Sequence, residues 1–251
     1  MRIIASKNGG LLRYNFPLII VVYTLGSMIC LVLALLPLTY YIYEVFKNIQ
    51  TVDFLYSPVV TLPLGVAFFW LIGFFIFITI HGRVMVRIVL PNIPEGSAPM
   101  LSNINKIYSL RLSADNIAKY WAKSLEWIPF LAQLVLYKQM LRAYGVKIGK
   151  NVYIATETRI DGVPLIEIGD DVFIGPRATI GAHINFKGGN IKYKKVKVGN
   201  GCFIGASSVL TPGCQIGDRS IVGGVTVLLL NTIVPPDETW VGQPGKFLKK
   251  N

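Results

Sequence analysis

The sequence predicts a mainly β fold, a parallel β-helix carried behind a two-helix transmembrane hairpin and an amphipathic helical linker. Three observations predict it. An aliphatic residue recurs every six positions from residue 148 onward, two long uncharged apolar runs lie before residue 81, and a segment of mixed apolar and basic character separates the runs from the repeat.

The runs come first in the chain. Residues 17–43 and 58–80 contain no charged side chain. At about 1.5 Å per residue they would extend roughly 40 Å and roughly 34 Å as helices, against a bilayer core of about 30 Å. Pro37 and Pro63 fall inside them, where membrane helices tolerate a break. A cleaved secretory signal would explain the first run alone, and it lacks the small-residue cleavage site. Arg2, Lys7 and Arg13 precede the first run and Arg83 and Arg87 follow the second, while the connection between the runs offers only Lys47. The positive-inside rule then puts both termini and the repeat in the cytoplasm, as parts of an integral protein of the cytoplasmic membrane.

The 251 residues carry a formal net charge of +12 with 53% apolar residues. Beside a transmembrane hairpin, and with no basic recognition helix or aromatic single-strand platform, that charge points to anionic membrane lipid and excludes nucleic acid as a partner. Cys30, Cys202 and Cys214 form neither a CxxC pair nor a zinc spacing, so reduced, packed thiols are expected.

The expected division is a hairpin over 1–90, a linker over 91–147 and the repeat over 148–251. In the linker, Leu131, Leu134, Val135 and Leu141 recur at roughly helical spacing, interrupted by Gln133, Lys138 and Arg142 and accompanied by Trp121, Trp127 and Tyr137. Such a helix suits either the headgroup level of a membrane or a groove on the repeat domain.

From residue 148 the chain reads IGKNVY, IATETR, IDGVPL, then after two extra residues IGDDVF, IGPRAT, IGAHIN; beyond a break it resumes as VGNGCF, IGASSV, LTPGCQ, IGDRSI, VGGVTV, LLLNTI. Three short strands make one triangular coil, and position one of each six points into the shaft. Ile148, Ile154, Ile160, Ile168, Ile174 and Ile180 should therefore stack in rows, with glycine and small residues near the corners allowing tight turns. A single coil cannot bury its own interior, so stability should come from stacking. The break is "GAHINFKGGNIKYKK", residues 181–195. Phe186 and Val198 are two whole sixes apart, so residues 187–197 can leave the shaft as a loop, or pass partly along it, without inverting its inward face.

Over about residues 145–250 these motifs resemble the hexapeptide-repeat acyltransferases, which fold as a left-handed parallel β-helix. Within that class "HINFKGGNIKYKKVKVGNGCFIGASSVL", "DETWVGQPGK" and the lead "LRAYGVKIGKNVYI" look most like the membrane-bound terminal region of the poly-lysine synthetase type of peptide synthetases. The resemblance implies transfer of an acyl group from a coenzyme A thioester to a hydroxyl or amine, by a homotrimer with sites between adjacent subunits. Acyl-CoA would be a co-substrate, and no cofactor would be held permanently.

His183 matches the position of the family's catalytic histidine, directly before the excursion. A neutral imidazole can take the acceptor's proton as it attacks. The chain has one other histidine, His81, at a membrane boundary. Asn185 could orient the ring or hold the acceptor, and Glu167 and Asp171 are possible carboxylate partners. By the same resemblance Gly205, Ala206 and Ser207, with Gly223 and Gly224 one coil later, match the tract whose backbone amides contact the thioester and its pantetheine arm. Lys246, Lys249 and Lys250 match the terminal basic residues that approach the coenzyme's phosphates. Lys192, Lys194, Lys195 and Lys197 either solvate the loop or attract phosphate and anionic lipid. No metal site is expected, because one histidine in the repeat cannot build a three-histidine zinc centre, and no nucleophile elbow or Walker-type loop occurs.

The expected function is membrane-anchored acyl transfer, with acetyl as the expected group, to a membrane-proximal acceptor such as a lipid-linked sugar or an amine. Two alternatives accompany it: amide formation from a carrier-bound aminoacyl thioester supplied by a peptide synthetase partner, and a non-catalytic trimeric scaffold.

Overall fold

The structure is a computed structural model and describes residues 16–47, 58–90, 92–124 and 135–251. Arg2, Lys7 and Arg13 of the orientation argument, and Trp127, Leu131, Gln133 and Leu134 of the linker, lie outside the described residues.

Helices α1 (Phe16–Lys47) and α2 (Pro58–Phe77) contain Pro37 and Pro63, and α2 runs on through a π-helical stretch, Ile78–Met85, to Val89. By length and composition, Pro17–Lys47 and Pro63–Val89 could each cross a membrane. His81 in the π-helical stretch is fully buried and hydrogen-bonds with Ser27 Oγ of α1 at 3.0 Å and with the Tyr144 hydroxyl at 2.6 Å.

Three shorter helices join these apolar helices to the repeat. In α3 (Asn103–Leu112) the Ser102 side chain caps the start by accepting from the Asn105 amide at 3.1 Å. The buried Arg111 guanidinium donates to the Val86 and Leu90 carbonyls at 3.1 and 2.7 Å, where the long second helix ends. Helix α4 (Asn116–Lys123) buries Ala118, Trp121 and Ala122; Trp121 packs on Phe74 and Phe77, and Trp70 Nε1 donates to Ser124 Oγ at 2.8 Å. Helix α5 (Tyr137–Tyr144) buries Met140, Leu141, Ala143 and Tyr144, and Gly145 in the left-handed region ends it. Lys138 and Arg142 donate to the carbonyls of Val152, Ile148 and Gly149. Of the two placements open from sequence, this described part of the linker takes the docked one.

From Lys147 the chain winds about five turns of parallel β-solenoid. Its first side stacks Lys147–Ile148, Ile166–Ile168, Val196–Val198, Gln215–Ile216 and Ile233–Val234. The second side stacks Tyr153–Ile154, Phe173–Ile174, Phe203–Ile204, Ile221–Val222 and Glu238–Gly242, and closes with the antiparallel strand Gly245–Lys250. The third stacks Arg159–Asp161, Thr179–Gly181, Val209–Leu210 and Val227–Leu228. Ile154, Ile160, Ile168, Ile174 and Ile180 are buried in the shaft as their spacing predicts, while Ile148, at the first coil, is only partly covered.

The corners divide their work in a way the glycine count does not reveal. A Cβ on Gly175, at position two, would lie 2.6 Å from the Ala206 amide nitrogen of the next coil. Glycine is needed there for the close approach of coils. The left-handed φ that turns the chain falls at position four instead, on Asn151, Glu157, Asp171, Arg177, Ser207, Arg219, Val225, Asn231 and Asp237 as well as Gly201 and Gly213. One corner adds a ladder: Asp170, Asn200 and Asp218 each accept, through a side-chain oxygen, from the backbone amide one coil earlier, at 2.6, 2.8 and 2.7 Å.

Parallel partners measure the coils. Val198 pairs with Ile216, eighteen residues on, whereas Ile148 and Ile168 are twenty apart and Ile168 and Val198 thirty. The two extra residues of the early coil accompany the 3-10 turn Val163–Leu165, and the twelve of the next coil form the break. That break is no loose loop. His183–Phe186 and Asn190–Tyr193 pair as an antiparallel arm, and the linker strand Gly96–Pro99 adds a third strand to it.

Candidate active site

His183 opens the arm at the corner that follows the third side. Its ring is half-buried, with Nδ1 enclosed and unpartnered among the described residues. Burial pushes the imidazole below its ordinary pKa, the Asp161 carboxylate pulls it partly back up, and the Lys119 ammonium pushes it down again. The net effect keeps the ring neutral, and so able to accept a proton, to lower pH than usual. His81, sealed between α1, the second apolar helix and α5, is out of reach of any substrate.

The carboxylate beside His183 is Asp161, which sequence reasoning missed. Asp161 belongs to the preceding coil on the same side, pairs with Gly181, and accepts at its carbonyl from the Ala182 amide at 2.9 Å. Neither proposed alternative serves. Glu167 is tied to Lys147 at 3.0 Å and Lys195 at 3.1 Å, with Lys197 at 4.0 Å, and the Lys147 hydrogen bond is the main reason its carboxyl sits below the usual range. Asp171 accepts from the Asn151 side chain at 3.0 Å, at a different corner. Asn185 lies two residues along the arm strand from His183, exposed.

The lysines of the break have separate roles. Lys195 and Lys197 serve Glu167, Lys194 Nζ donates to Asn231 Oδ1 at 2.6 Å, and Lys192 stays on the arm opposite Ile184.

Among the amide donors, Gly205, Ser207 and Gly223 are already committed to the carbonyls of Val222, Pro176 and Trp240 at 2.7, 2.9 and 2.8 Å. The amides of Ala206 and Gly224, equivalent in successive coils, donate to nothing among the described residues. These two are the free donors of the expected set. They sit at the corner before the third side, and His183 at the corner after it. The third side thus lies between the free donors and the base.

Lys246, Lys249 and Lys250 lie exposed on the terminal strand, opposite Val241, Thr239 and Glu238. The hairpin turn carrying this strand is held to the Gly224 corner: Gln243 Nε2 donates to the Val225 carbonyl at 2.7 Å, and the Gly242 amide to Thr226 Oγ1 at 3.3 Å. Lys246 thus lies at the end of the second side that carries the free amides, while Lys249 and Lys250 run back along the strand to its other end, opposite Thr239 and Glu238. Among the described residues no three of His, Cys, Asp and Glu converge as a metal site would need, and all three cysteines are buried and free.

A cleft of about 440 Å³ adjoins His183's neighbours. It runs between α4 and the first coil, with Asn116, Lys119, Tyr120 and Lys123 on the helix side and Arg159 and Asp161 on the coil side.

Comparison with known proteins covers the same region. Residues 195–228 match the bacterial transferase hexapeptide (six repeats) family, and residues 165–185 the hexapeptide repeat of succinyl-transferase. A delta-poly-L-ornithine synthetase from Acinetobacter baumannii (strain AB307-0294) is 29% identical over 126 residues, 50% of this chain and 9% of that protein. A galactoside O-acetyltransferase from Escherichia coli (strain K12) is 28% identical over 116 residues, 43% of this chain and 56% of its own length. The chain thus spans little more than half of that relative and a small part of the synthetase. A solved hexapeptide-repeat acetyltransferase from Vibrio cholerae O1 biovar eltor, complexed with acetyl coenzyme A, is 28% identical over 42% of this chain and 60% of that one, with a TM-score of 0.39. The coiled part of this chain is thus similar to the bacterial transferase hexapeptide repeats over residues 165–185 and 195–228.

Proposed function

We propose that the chain is a membrane-anchored acyltransferase that moves an acyl group, acetyl in the simplest case, from a coenzyme A thioester to a hydroxyl or amine at the membrane surface. The observation that carries the reading is His183: a half-buried imidazole, kept neutral by burial, at the one corner where the solenoid opens into an arm. The relative named as a galactoside O-acetyltransferase supports acetyl transfer.

In this reading His183 takes the proton from the acceptor's O–H or N–H as the heteroatom attacks the thioester carbonyl. The tetrahedral oxyanion is met by the Ala206 or Gly224 amide, the C–S bond breaks, and the imidazolium returns the proton to the leaving thiolate, giving the acylated acceptor and free thiol. Because base and amides stand at opposite ends of one side, the site is completed by a neighbouring copy in a cyclic homotrimer. Lys246, Lys249 and Lys250 would draw in the coenzyme's phosphates. Residues 1–90 anchor the protein as a hairpin with the repeat in the cytoplasm, 91–147 join hairpin to solenoid, and 148–251 carry the chemistry. The low burial of the two apolar helices, 17% and 22% in their most apolar windows, supports spans over core helices.

The test is turnover of acetyl-CoA by the full chain in lipid nanodiscs, followed as release of free thiol. Loss of turnover in His183→Ala is the expected result, and undiminished turnover would overturn the reading.

The match to the poly-ornithine synthetase favours a second reading, amide formation from a carrier-bound aminoacyl thioester. It predicts no measurable coenzyme A affinity but reaction with the carrier-bound donor, still dependent on His183.

A further inference from the structure

The cleft between α4 and the first coil has no part in donor binding as described above, yet two of its lining groups, Asp161 and Lys119, are the charges that act on His183. Asp161 in its wall pairs with Gly181, two residues before His183, which brings the cleft next to the proposed base. Its volume of about 440 Å³ suits a small-molecule headgroup and is too small for a carrier protein.

The wall chemistry narrows the occupant. Lys119 is not free to grip a phosphate: its ammonium lies 2.8 Å from the buried Asp115 carboxylate and 3.6 Å from Asp161, and it reaches the Ile160 carbonyl at 3.4 Å. Arg159 lies 3.4 Å from Asp161. The lining thus mixes signs and partly neutralises itself, which argues against a strongly anionic ligand. Lys123 and Glu157 add one further charge of each sign, and between the charged groups stand an aromatic ring, Tyr120, 76% exposed, an amide side chain, Asn116, and a carboxylate edge on Asp161. An apolar ring face flanked by hydrogen-bonding groups of both kinds matches a pyranose, which offers C–H faces and a rim of hydroxyls.

The helix that carries this wall also fixes where the ligand comes from. The opposite face of α4 is packed on the second apolar span through Trp121 against Phe74 and Phe77, and Trp70 bonds Ser124 at its end. A molecule in the cleft is therefore held beside the hairpin.

We propose that this cleft is the acceptor subsite and takes the sugar headgroup of a membrane amphiphile, with Tyr120 and Asn116 recognising the ring and Asp161 presenting a hydroxyl to His183. The inference rests on the acyltransferase reading for its chemistry but not for its binding. An acyl group reaching the sugar would form an O-acyl ester, with the hydroxyl proton passing through His183 to the departing thiolate.

The experiment uses the full chain in nanodiscs and octyl β-D-glucoside below its micellar concentration, with binding read by saturation-transfer NMR. Binding about tenfold weaker in Tyr120→Ala and in Asn116→Ala supports the subsite. Both residues are on the cleft wall, and the exposed Tyr120 can be truncated without opening the core. Binding that both variants leave unchanged, or octyl phosphate binding as tightly as the glucoside, overturns it. Turnover separates the two proposals: glucoside that binds but is never acylated from acetyl-CoA overturns the acetyl-CoA-dependent reading and leaves the subsite standing. Acylation with wild-type affinity in both variants does the reverse.

Discussion

His183 and Tyr193 are direct cross-strand partners in the arm, and the buried Tyr193 hydroxyl donates to Asn105 Oδ1 in α3. Six residues further along that helix, Arg111 grips the end of the second apolar helix. The proposed base is thus fixed to the two apolar helices through one strand, one side-chain bond and one short helix.

Tyr193→Phe should loosen that connection. It leaves the buried Asn105 oxygen without its donor, a cost of about 1–3 kcal/mol. Hydrogen exchange of the arm amides from 183 to 193 should accelerate, and kcat should fall while donor KM is unchanged. Equal protection in both proteins would show that the arm is held by its strands alone.

The pH profile of kcat/KM should rise as His183 loses its proton, with a midpoint below the ordinary imidazole value, because burial lowers the pKa. Asp161 opposes that shift, so Asp161→Asn removes the group favouring the protonated ring and should move the midpoint to lower pH still. A midpoint that moves upward in the variant would mean that Asp161 acts on His183 in some other way.

Coenzyme A affinity should fall about tenfold when Lys246, Lys249 and Lys250 are all replaced by alanine, and the loss should shrink as salt is raised, since exposed charges are screened. Calorimetric titration at two ionic strengths checks both statements. Unchanged affinity would remove these lysines from the donor site.

The two kinds of corner position should respond oppositely to substitution. Gly175→Ala pushes a methyl against the next coil and should cost about 1–3 kcal/mol. Val225, a β-branched residue at φ 56° and 58% exposed, is held where such side chains are disfavoured. Val225→Asn should therefore stabilise the solenoid by about 1 kcal/mol. Thermal unfolding midpoints decide, and a destabilised Val225→Asn would show that the valine packs against something a single chain does not contain.

The shaft could be read from sequence because a six-residue period leaves few other ways to bury Ile154, Ile160, Ile168, Ile174 and Ile180 together. The arm was only half legible. Its Gly188–Gly189 pair, flanked by alternating residues, is a hairpin signal. Its third strand, Gly96–Pro99, comes from a segment roughly ninety residues away that no local pattern announces. Asp161 was missed for a related reason. Glu167 and Asp171 are nearer to His183 along the chain, but contacts in a solenoid follow the coil, and here the coil runs twenty residues. The corner glycines were visible, whereas their purpose was not: close stacking and left-handed turning look alike until φ is known.

Both departures from the eighteen-residue coil, the two extra residues at the Val163–Leu165 turn and the twelve extra residues of the arm, fall at the same corner, between the third side and the first. That vertex works as a grafting port. The frame on either side carries on in register whatever is spliced in, so loops transplanted there from other coiled proteins should alter what the molecule accepts while leaving its shaft to assemble as before.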